Sequence, residues 1–216
     1  INGTNDVPVA TTTTALLGAV TEAGHLDDGT AVDGTSTTGG TLTSTDVDAN
    51  ATKTWSVQGT PSTTYGTFAV DSAGVWTYTL DNSLAATQAL KEGQSVTENY
   101  TVRVTDDKGA YAEQTVTVTI NGTNDAAVID APTVVTVKED ASVDASGNLT
   151  ASGTISITDD DTGQASFNTT VTSATGNLGT LSLQSDGHYT YTVANSATQY
   201  LGIGATKVDT FTVKSA

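Results

Sequence analysis

A six-residue segment that occurs twice constrains the fold of this chain more than any other feature. Residues 1–6 read Ile-Asn-Gly-Thr-Asn-Asp, and the same six letters return 119 positions later as residues 120–125. Repeats at a fixed interval indicate that one structural unit is present more than once. Further matched segments are residues 40–48 with 153–161, 74–80 with 187–193, and 100–103 with 211–214. The 216 residues are therefore expected to form two small domains of related structure.

Each unit has the sequence pattern of short β-strands. Polar and apolar residues alternate with period two in residues 100–104 and 115–120, and aromatic and β-branched residues alternate in residues 75–80 and 189–193. The one helix candidate is residues 83–90, about two turns long. About seven strands in roughly 110 residues, separated by turns that contain glycine, predict an all-β chain of tandem Greek-key β-sandwiches.

The repeat also predicts domain boundaries. Residues 1–119 form the first sandwich and begin with a junction at 1–6, residues 120–126 form a short linker, and residues 127–216 form the second sandwich. The second unit contains no counterpart of the turn at 106–109 or of the last strand at 115–120. We therefore expect either a sandwich with a truncated edge or a domain cut by the end of the sequence.

Composition and charge limit the classes of molecule and metal that the chain is expected to bind. The chain carries 7 basic and 24 acidic residues, a net charge of −17, which argues against binding to nucleic acid or to an anionic membrane. No apolar run approaches the ~20 residues needed to span a bilayer, and the first residues do not resemble a signal peptide. With no cysteine and only His25 and His188, disulfides and thiolate sites are excluded, and zinc or copper sites are not expected.

Acidic residues recur at matched positions of the two units and predict calcium ligands. Calcium binds six to eight oxygens, commonly from carboxylates, amides and backbone carbonyls, and the alternate residues of an Asp-x-Asp segment can converge on one ion. The alternative interpretation is that these side chains are solvated surface or cap turns. The predicted ligands before and within the first unit are Asn5, Asp6, Glu22, Asp46, Asp48 and Asp106. Those of the linker and the second unit are Asn124, Asp125, Glu139, Asp159, Asp160 and Asp161.

Other candidate chemistry is weak. No spacing suggests a nucleophile with its base, an acid/base pair or a catalytic metal, so we expect no enzyme active site. The aromatic residues could form a platform that stacks on sugars, but their strand spacing favours packing in the core. These residues are Trp55, Trp76, Tyr78, Tyr189 and Tyr191.

The same residues carry a resemblance to a known family. Residues 100–109 (Tyr-Thr-Val-Arg-Val-Thr-Asp-Asp-Lys-Gly), followed by 115–120 and the Asn-Gly-Thr-Asn-Asp junction at 121–125, resemble the VCBS repeats of large RTX adhesins. These repeats are cadherin-like and immunoglobulin-like bacterial modules, and the resemblance covers essentially the whole chain. It implies extender repeats of a secreted bacterial cell-surface adhesin, exported by type I secretion and serving biofilm formation or adhesion to cells.

The resemblance also implies where calcium binds and which partners the chain has. By similarity to cadherin junctions, the ions between the two domains would be held by Glu22, Asn124, Asp125, Asp159 and Asp161. Those at the junction before the first domain would be held by Asn5, Asp6, Asp46, Asp48 and Asp106. The partners are neighbouring repeats of the same chain, the chain is expected to be a monomer, and the adhesion target is bound elsewhere in the parent protein. Two alternatives remain open: a β-sandwich module that binds carbohydrate or peptide, and a spacer domain of a large secreted enzyme.

Overall fold

The chain divides into two compact β-rich units. A computed structural model describes all residues, Ile1–Ala216, and separates Ile1–Ala126 from Ala127–Ala216. Residues 120–126, the predicted linker, belong to the first unit in this division, and the first two of them end its last long strand. The predicted all-β, tandem sandwich class is confirmed. Neither of the two helices, each of four residues, is long and apolar enough to cross a membrane.

The first unit contains eleven strands and one short helix. The strands are β1 (Val9–Ala10), β2 (Leu17–Thr21), β3 (Gly24–His25), β4 (Ala31–Val32), β5 (Thr37–Thr41), β6 (Ser44–Thr45), β7 (Lys53–Val57), β8 (Gly66–Val70), β9 (Val75–Leu80), β10 (Ser95–Asp106) and β11 (Tyr111–Asn121). Helix α1 (Ala85–Gln88) lies inside the predicted helix candidate but is only four residues long.

Two sheets of the first unit enclose its core. The larger sheet has the order β2-β11-β10-β7, in which β11 runs parallel to β2 and antiparallel to β10. The smaller sheet has the order β5-β9-β8 and is antiparallel throughout. The turns that join β8 to β9 and β10 to β11 contain Gly74 and Gly109, with φ of 90° and 91°, a conformation that glycine adopts without steric cost.

The core of the first unit follows from the period-two pattern of its strands. Every second residue of β9, β10 and β11 faces inward, because successive side chains of a strand point to opposite faces. The inward residues are Trp76, Tyr78, Leu80, Tyr100, Val102, Val104, Val116, Val118 and Ile120, all at most 5% exposed. The rings of Phe68 and Tyr100 stack at 4.1 Å between centroids. Packing of Trp55, Trp76 and Tyr78 in the core is thereby confirmed.

The second unit has seven strands and a much smaller core. The strands are β12 (Val128–Ile129), β13 (Asn148–Thr154), β14 (Ile157–Thr158), β15 (Phe167–Ser173), β16 (Thr180–Leu183), β17 (His188–Ala194) and β18 (Phe211–Ser215), and helix α2 (Asn195–Thr198) follows β17. They form a β13-β17-β16 sheet, a β15-β18 pair and a β12-β14 pair. Six apolar side chains of this unit are buried, Leu149, Ile155, Phe167, Leu183, Tyr189 and Val193, and Tyr191 is half-buried.

An acidic side chain beneath the aromatic residues is common to both units. In the first, Glu98 is 8% exposed and accepts hydrogen bonds from the hydroxyls of Tyr78 (2.9 Å) and Tyr100 (2.6 Å), and from that of Ser62. In the second, Asp209 occupies the matched position and accepts from the Tyr191 hydroxyl at 2.7 Å. A buried carboxylate is tolerated only when donors surround it, so these bonds hold the inward acid in place.

Candidate metal centres

A group of acidic side chains lies at the end of the first unit where β10 meets its turn. We call Asn5, Asp6, Asp46, Asp48 and Asp106 the first acidic cluster. The Asn5 amide Nδ2 donates to Asp106 Oδ2 at 2.9 Å, and the Asp6 backbone N–H donates to Asp48 Oδ2 at 2.8 Å. The structure therefore brings Asn5 to Asp106 and Asp6 to Asp48, pairs that are about 100 and 40 positions apart in the chain and that the resemblance to cadherin junctions placed together.

Asp106 is the most constrained carboxylate of the first acidic cluster. It is 7% exposed, and its Oδ1 accepts the backbone N–H groups of Lys108 (2.8 Å) and Ala110 (2.9 Å). The pKa of Asp106 lies below its usual range, chiefly because the Asn5 amide donates to the ionised form. Its neighbour Asp107 instead pairs with Lys108 Nζ at 2.7 Å and is not part of the cluster's hydrogen bonds. Asp106 thus stays ionised and available to a cation over a wide range of pH.

One carboxylate oxygen of Asp46, in the first acidic cluster, is buried without a hydrogen-bond donor. Asp46 Oδ1 accepts the backbone N–H of Asp48 at 3.0 Å, but its Oδ2 is buried and has no hydrogen-bond partner. A buried carboxylate oxygen without a donor is costly, and a bound water, a proton or a cation beside it removes that cost. The first acidic cluster offers carboxylate and amide oxygens, which are ligands that calcium prefers. The residues present therefore fit Ca²⁺ in their chemistry.

A second group of polar side chains lies at the other end of the first unit. The 11 residues of β11 separate the two groups by roughly 35 Å, at about 3.3 Å per residue. Here Glu22 is fully buried, its Oε1 accepts from Gln88 Nε2 at 2.7 Å, and its Oε2 accepts from the Thr123 N–H at 3.3 Å. Asn124 Nδ2 donates to the His25 carbonyl at 2.8 Å and to Asp27 Oδ1 at 3.3 Å. Half-buried Asp125 follows it.

The second copy of the Asn-Gly-Thr-Asn segment, residues 121–124, is held at this end of the first unit by hydrogen bonds and close packing. Asn121 Nδ2 donates to the Val20 carbonyl at 3.1 Å, and Thr123 Oγ1 donates to the Glu22 carbonyl at 2.8 Å. A Cβ at position 122 would overlap the backbone carbonyl of Leu90, so only glycine fits there. At Gly3, its counterpart in the first copy of the segment, a Cβ would have no other atom within 4 Å. The segment therefore has a packing role as well as its predicted role in metal binding.

Substitution of Gly122 by alanine is expected to destabilise the first unit by about 1–3 kcal/mol, because a methyl group must displace the main chain at Leu90. Gly3→Ala is the matched control from the same sequence motif and should change stability by less than about 0.5 kcal/mol. Urea unfolding followed by tryptophan fluorescence measures both, since Trp55 and Trp76 lie in the first unit. Equal stabilities of the two variants would contradict the packing role.

The Asp-x-Asp segment of the second unit repeats the local geometry of the first. Asp159 Oδ1 accepts the backbone N–H of Asp161 at 2.9 Å, as Asp46 Oδ1 accepts that of Asp48. Asp161 is 1% exposed and accepts from Gln164 Nε2 at 3.0 Å, whereas Asp160 between them is exposed. Glu139, matched to Glu22, is half-buried and has one buried oxygen, Oε2, without a hydrogen-bond partner.

The predicted ligands thus fall into separate groups. No three Asp, Glu or His side chains stand close enough to form a metal site by themselves. Metal ligation by the twelve predicted residues stays a prediction. Sequence reasoning did not identify Gln88 and Thr123, which bind the Glu22 carboxylate; no spacing signals them, because Gln88 lies 66 positions away and acts through a single hydrogen bond.

Comparisons with known proteins agree with the architecture. The sequence profile described as the bacterial cadherin-like domain matches residues 5–122 and again residues 124–216. No curated protein sequence matches the chain.

Solved structures with a similar fold include extracellular regions of protocadherins. The protocadherin gamma B4 extracellular domain matches with a TM-score of 0.52 and 15% identity, over 100% of this chain and 33% of that chain. Extracellular cadherin domains 1–5 of protocadherin gamma B2 match with a TM-score of 0.50 and 16% identity, over 88% and 33% respectively. At such identity the likeness shows the fold alone, and this chain spans about a third of the length of these two structures.

Proposed function

Because the chain belongs to the bacterial cadherin-like domain family, we propose that its two units are extender repeats of a large secreted surface adhesin, of the RTX type, stiffened by calcium. Domains of this family are typically structural or adhesive modules rather than enzymes. The proposed role is mechanical: tandem repeats carry a distant adhesion domain away from the bacterial cell, in biofilm formation or attachment to other cells. The partners of each repeat are then its neighbours in the same chain.

The observation that carries this proposal is the buried, partnerless Oδ2 of Asp46 within the first acidic cluster. The Asp48 backbone N–H donates to the other oxygen of Asp46, Asp48 accepts from the Asp6 N–H, and Asp106 accepts from the Asn5 amide. Nearby Lys108 does not neutralise this charge, because its ammonium pairs with Asp107. A divalent cation would remove both the repulsion among these carboxylates and the cost of burying Asp46.

In the proposed mechanism, Ca²⁺ before the first unit would be held by Asn5, Asp6, Asp46, Asp48 and Asp106. Calcium after that unit and in the next would be bound by Glu22, Asn124, Asp125, Asp159 and Asp161. Glu139 and Asp160 are additional candidates. Bound calcium supplies positive charge shared by several oxygens. The chain's own contribution is to orient the carboxylates in advance, through the Asp-x-Asp turns and the hydrogen bonds of the Asn-Gly-Thr-Asn segment. Calcium bound at these residues would restrict the motion of the chain at the junctions before and after the first unit.

Calcium titration of metal-free protein is expected to raise its melting temperature and to lengthen the particle seen by small-angle X-ray scattering. Stabilisation arises because calcium binds the folded state, and it amounts to about 2.7 kcal/mol per site at 100 times the dissociation constant. Asp46→Asn and Asp106→Asn should each weaken calcium binding in calorimetry by about tenfold or more, since calcium affinity depends on the number of charged ligands.

Asp71→Asn is the matched control for Asp106→Asn. Asp71 accepts backbone N–H groups two and four residues ahead, from Ala73 and Val75, as Asp106 does from Lys108 and Ala110, but it lies outside the predicted sites. Its substitution should leave calcium binding unchanged. If millimolar calcium produced neither heat of binding nor a change in melting temperature, the proposal would be overturned.

A further inference from the structure

The chain enters and leaves the first unit through two neighbouring strands that run in the same direction. β2, near the start of the unit, pairs in parallel with its last strand, β11, over five consecutive residues. Tension between the two ends of the unit pulls β2 toward its first residue and β11 toward its last residue. Because the strands are parallel, this tension makes them slide past each other and loads the hydrogen bonds of the whole ladder together.

The parallel contact continues beyond both ends of β2. Before the strand, the Thr117 N–H donates to the Leu16 carbonyl at 2.8 Å, and after it the His25 N–H donates to the Asn124 carbonyl at 2.7 Å. A Cβ at Gly24 would overlap the Asn124 carbonyl oxygen, so only glycine allows this close approach. The two segments therefore stay side by side after the regular ladder ends.

Side chains of the repeated Asn-Gly-Thr-Asn motif reinforce this contact. In the second copy of the motif, Asn121, Thr123 and Asn124 each donate a side-chain hydrogen bond to a backbone carbonyl of residues 20–25. These bonds resist sliding, because the donors belong to one segment and the acceptors to the other. Asn121 and Thr123 are not among the predicted calcium ligands, so calcium binding does not account for their bonds.

The contact between β2 and β11 is the one that tension must break. β2 is the edge strand of its sheet, so only β11 holds it there. β11 itself pairs with β10 over eleven residues, against five with β2. Val20 and Ile120 lie directly opposite each other and are 1% and 0% exposed, which keeps water from the core side of the ladder. Unfolding under tension therefore requires β2 and β11 to separate.

We propose that residues 16–25 and 117–124 form a mechanical clamp, which gives the first unit its resistance to being pulled open along the chain. This inference rests on the proposed extender function and deepens it, because an extender repeat of a surface adhesin carries tension between its two ends. Residues 121–124, the second copy of the motif, supply the side-chain component of the clamp. The clamp consists of hydrogen bonds within one unit and needs no bound ion.

The first test pulls the intact chain in two directions. The chain has no cysteine, so pairs of introduced cysteines provide unique attachment points for optical tweezers. Thr14→Cys with Asp130→Cys loads β2 and β11 in shear. Thr30→Cys with Asp130→Cys pulls from the adjacent ends of the two strands and opens the ladder one pair at a time. All three residues are exposed.

In constant millimolar calcium, the first unit should unfold in shear at a force at least about twofold higher than in the opening direction, because several hydrogen bonds must break together. Unfolding in shear is recognised by a lengthening of about 400 Å, the extended length of the residues between the attachment points. Equal forces in the two directions would overturn the clamp. They would leave the calcium proposal intact, because calorimetry tests calcium binding separately.

Variants of the motif test its side-chain component. Asn121→Ala and Thr123→Val each remove one donor and should raise the unfolding rate in shear at constant force about fivefold, the effect of one ordinary hydrogen bond. Thr117→Val is the matched control, because Thr117 Oγ1 donates to Asn99 Oδ1 at 2.7 Å, on the β10 side of β11. It should leave the shear rate unchanged. If Thr117→Val and Thr123→Val raised the rate equally, the assignment of the motif to the clamp would be wrong.

Discussion

Raising the pH above about 10 is expected to unfold the first unit over a narrow range, and the second unit less steeply. Burial raises the pKa of Tyr78 and of Tyr100, and their hydrogen bonds to the Glu98 carboxylate raise both further. In the second unit, burial and the hydrogen bond to Asp209 raise the pKa of Tyr191. A raised pKa in the folded state means that stability is complete below pH ~10, the ordinary pKa of tyrosine, and falls as the pH rises above it.

The expected loss is large enough to decide whether the first unit folds. Each such tyrosine contributes up to about 1.4 kcal/mol per pH unit, so Tyr78 and Tyr100 together remove up to about 5 kcal/mol over two pH units. That is comparable to the whole stability of many domains. Tyr191 is half-buried, so solvent screening reduces its contribution.

Phenolate absorbance and tryptophan fluorescence, recorded together from pH 8 to pH 12.5, measure this effect. Of the seven tyrosines, Tyr78 and Tyr100 should ionise only as the first unit unfolds. Glu98→Gln removes the negative charge beside both hydroxyls and should make the alkaline loss of stability less steep. Tyr111→Phe, which removes an exposed hydroxyl, should leave the curve unchanged. Ionisation of all seven tyrosines while fluorescence still reports a folded unit would contradict the prediction.

The period-two pattern was sufficient to predict the long strands and the core of the first unit. In β10 the inward face contains Glu98, Tyr100, Val102, Val104 and Asp106 in strict alternation, so even its two buried acids lie in phase with the core. What alternation cannot show is which donors a buried acid finds. Tyr78 comes from the facing sheet and Ser62 from a loop, and both become neighbours of Glu98 only when the sandwich closes.

The contacts within the candidate sites were likewise only partly predictable, because some of them form between segments that meet only in the folded domain. The turns at the Asp-x-Asp segments can be recognised in the sequence, because aspartate often accepts a hydrogen bond from the backbone N–H two residues ahead, as Asp46 and Asp159 do. The contacts of Glu22 with Gln88 and Thr123 depend on α1 and on the end of β11 meeting at one place. The sequence also could not show that residues 134–138 would fail to form a strand. Strand formation depends on a partner, and the residues themselves resemble those of β2 in their apolar content.

Replacement of Trp76 by alanine is expected to destabilise the first unit by about 3–5 kcal/mol, as large-to-small substitutions of fully buried aromatic residues do. Trp76 is 0% exposed, and its ring lies 5.8 Å from that of Phe68. Its Nε1 donates to the Ala15 carbonyl at 2.8 Å and so fixes the segment before β2. Gly18 and Gly40 lie against the indole, where a Cβ would approach it within 2.8 and 2.9 Å. Alanine therefore leaves a cavity that rigid backbone on two sides cannot fill, and it removes the hydrogen-bond donor of the half-buried Ala15 carbonyl.

Trp76→Tyr is the control that separates the loss of side-chain volume from the loss of the hydrogen bond, because the second unit itself has a hydrogen-bonding tyrosine at this place. Tyr189 occupies the matched position, and its hydroxyl donates to the Thr133 carbonyl of the corresponding segment. The tyrosine variant should lose clearly less stability than the alanine variant in urea unfolding followed by circular dichroism. Hydrogen exchange should then show faster opening of β2 in the alanine variant than in the tyrosine variant. If both variants lost the same stability, the indole would act through its shape alone, and the proposed anchoring of the segment before β2 would be wrong.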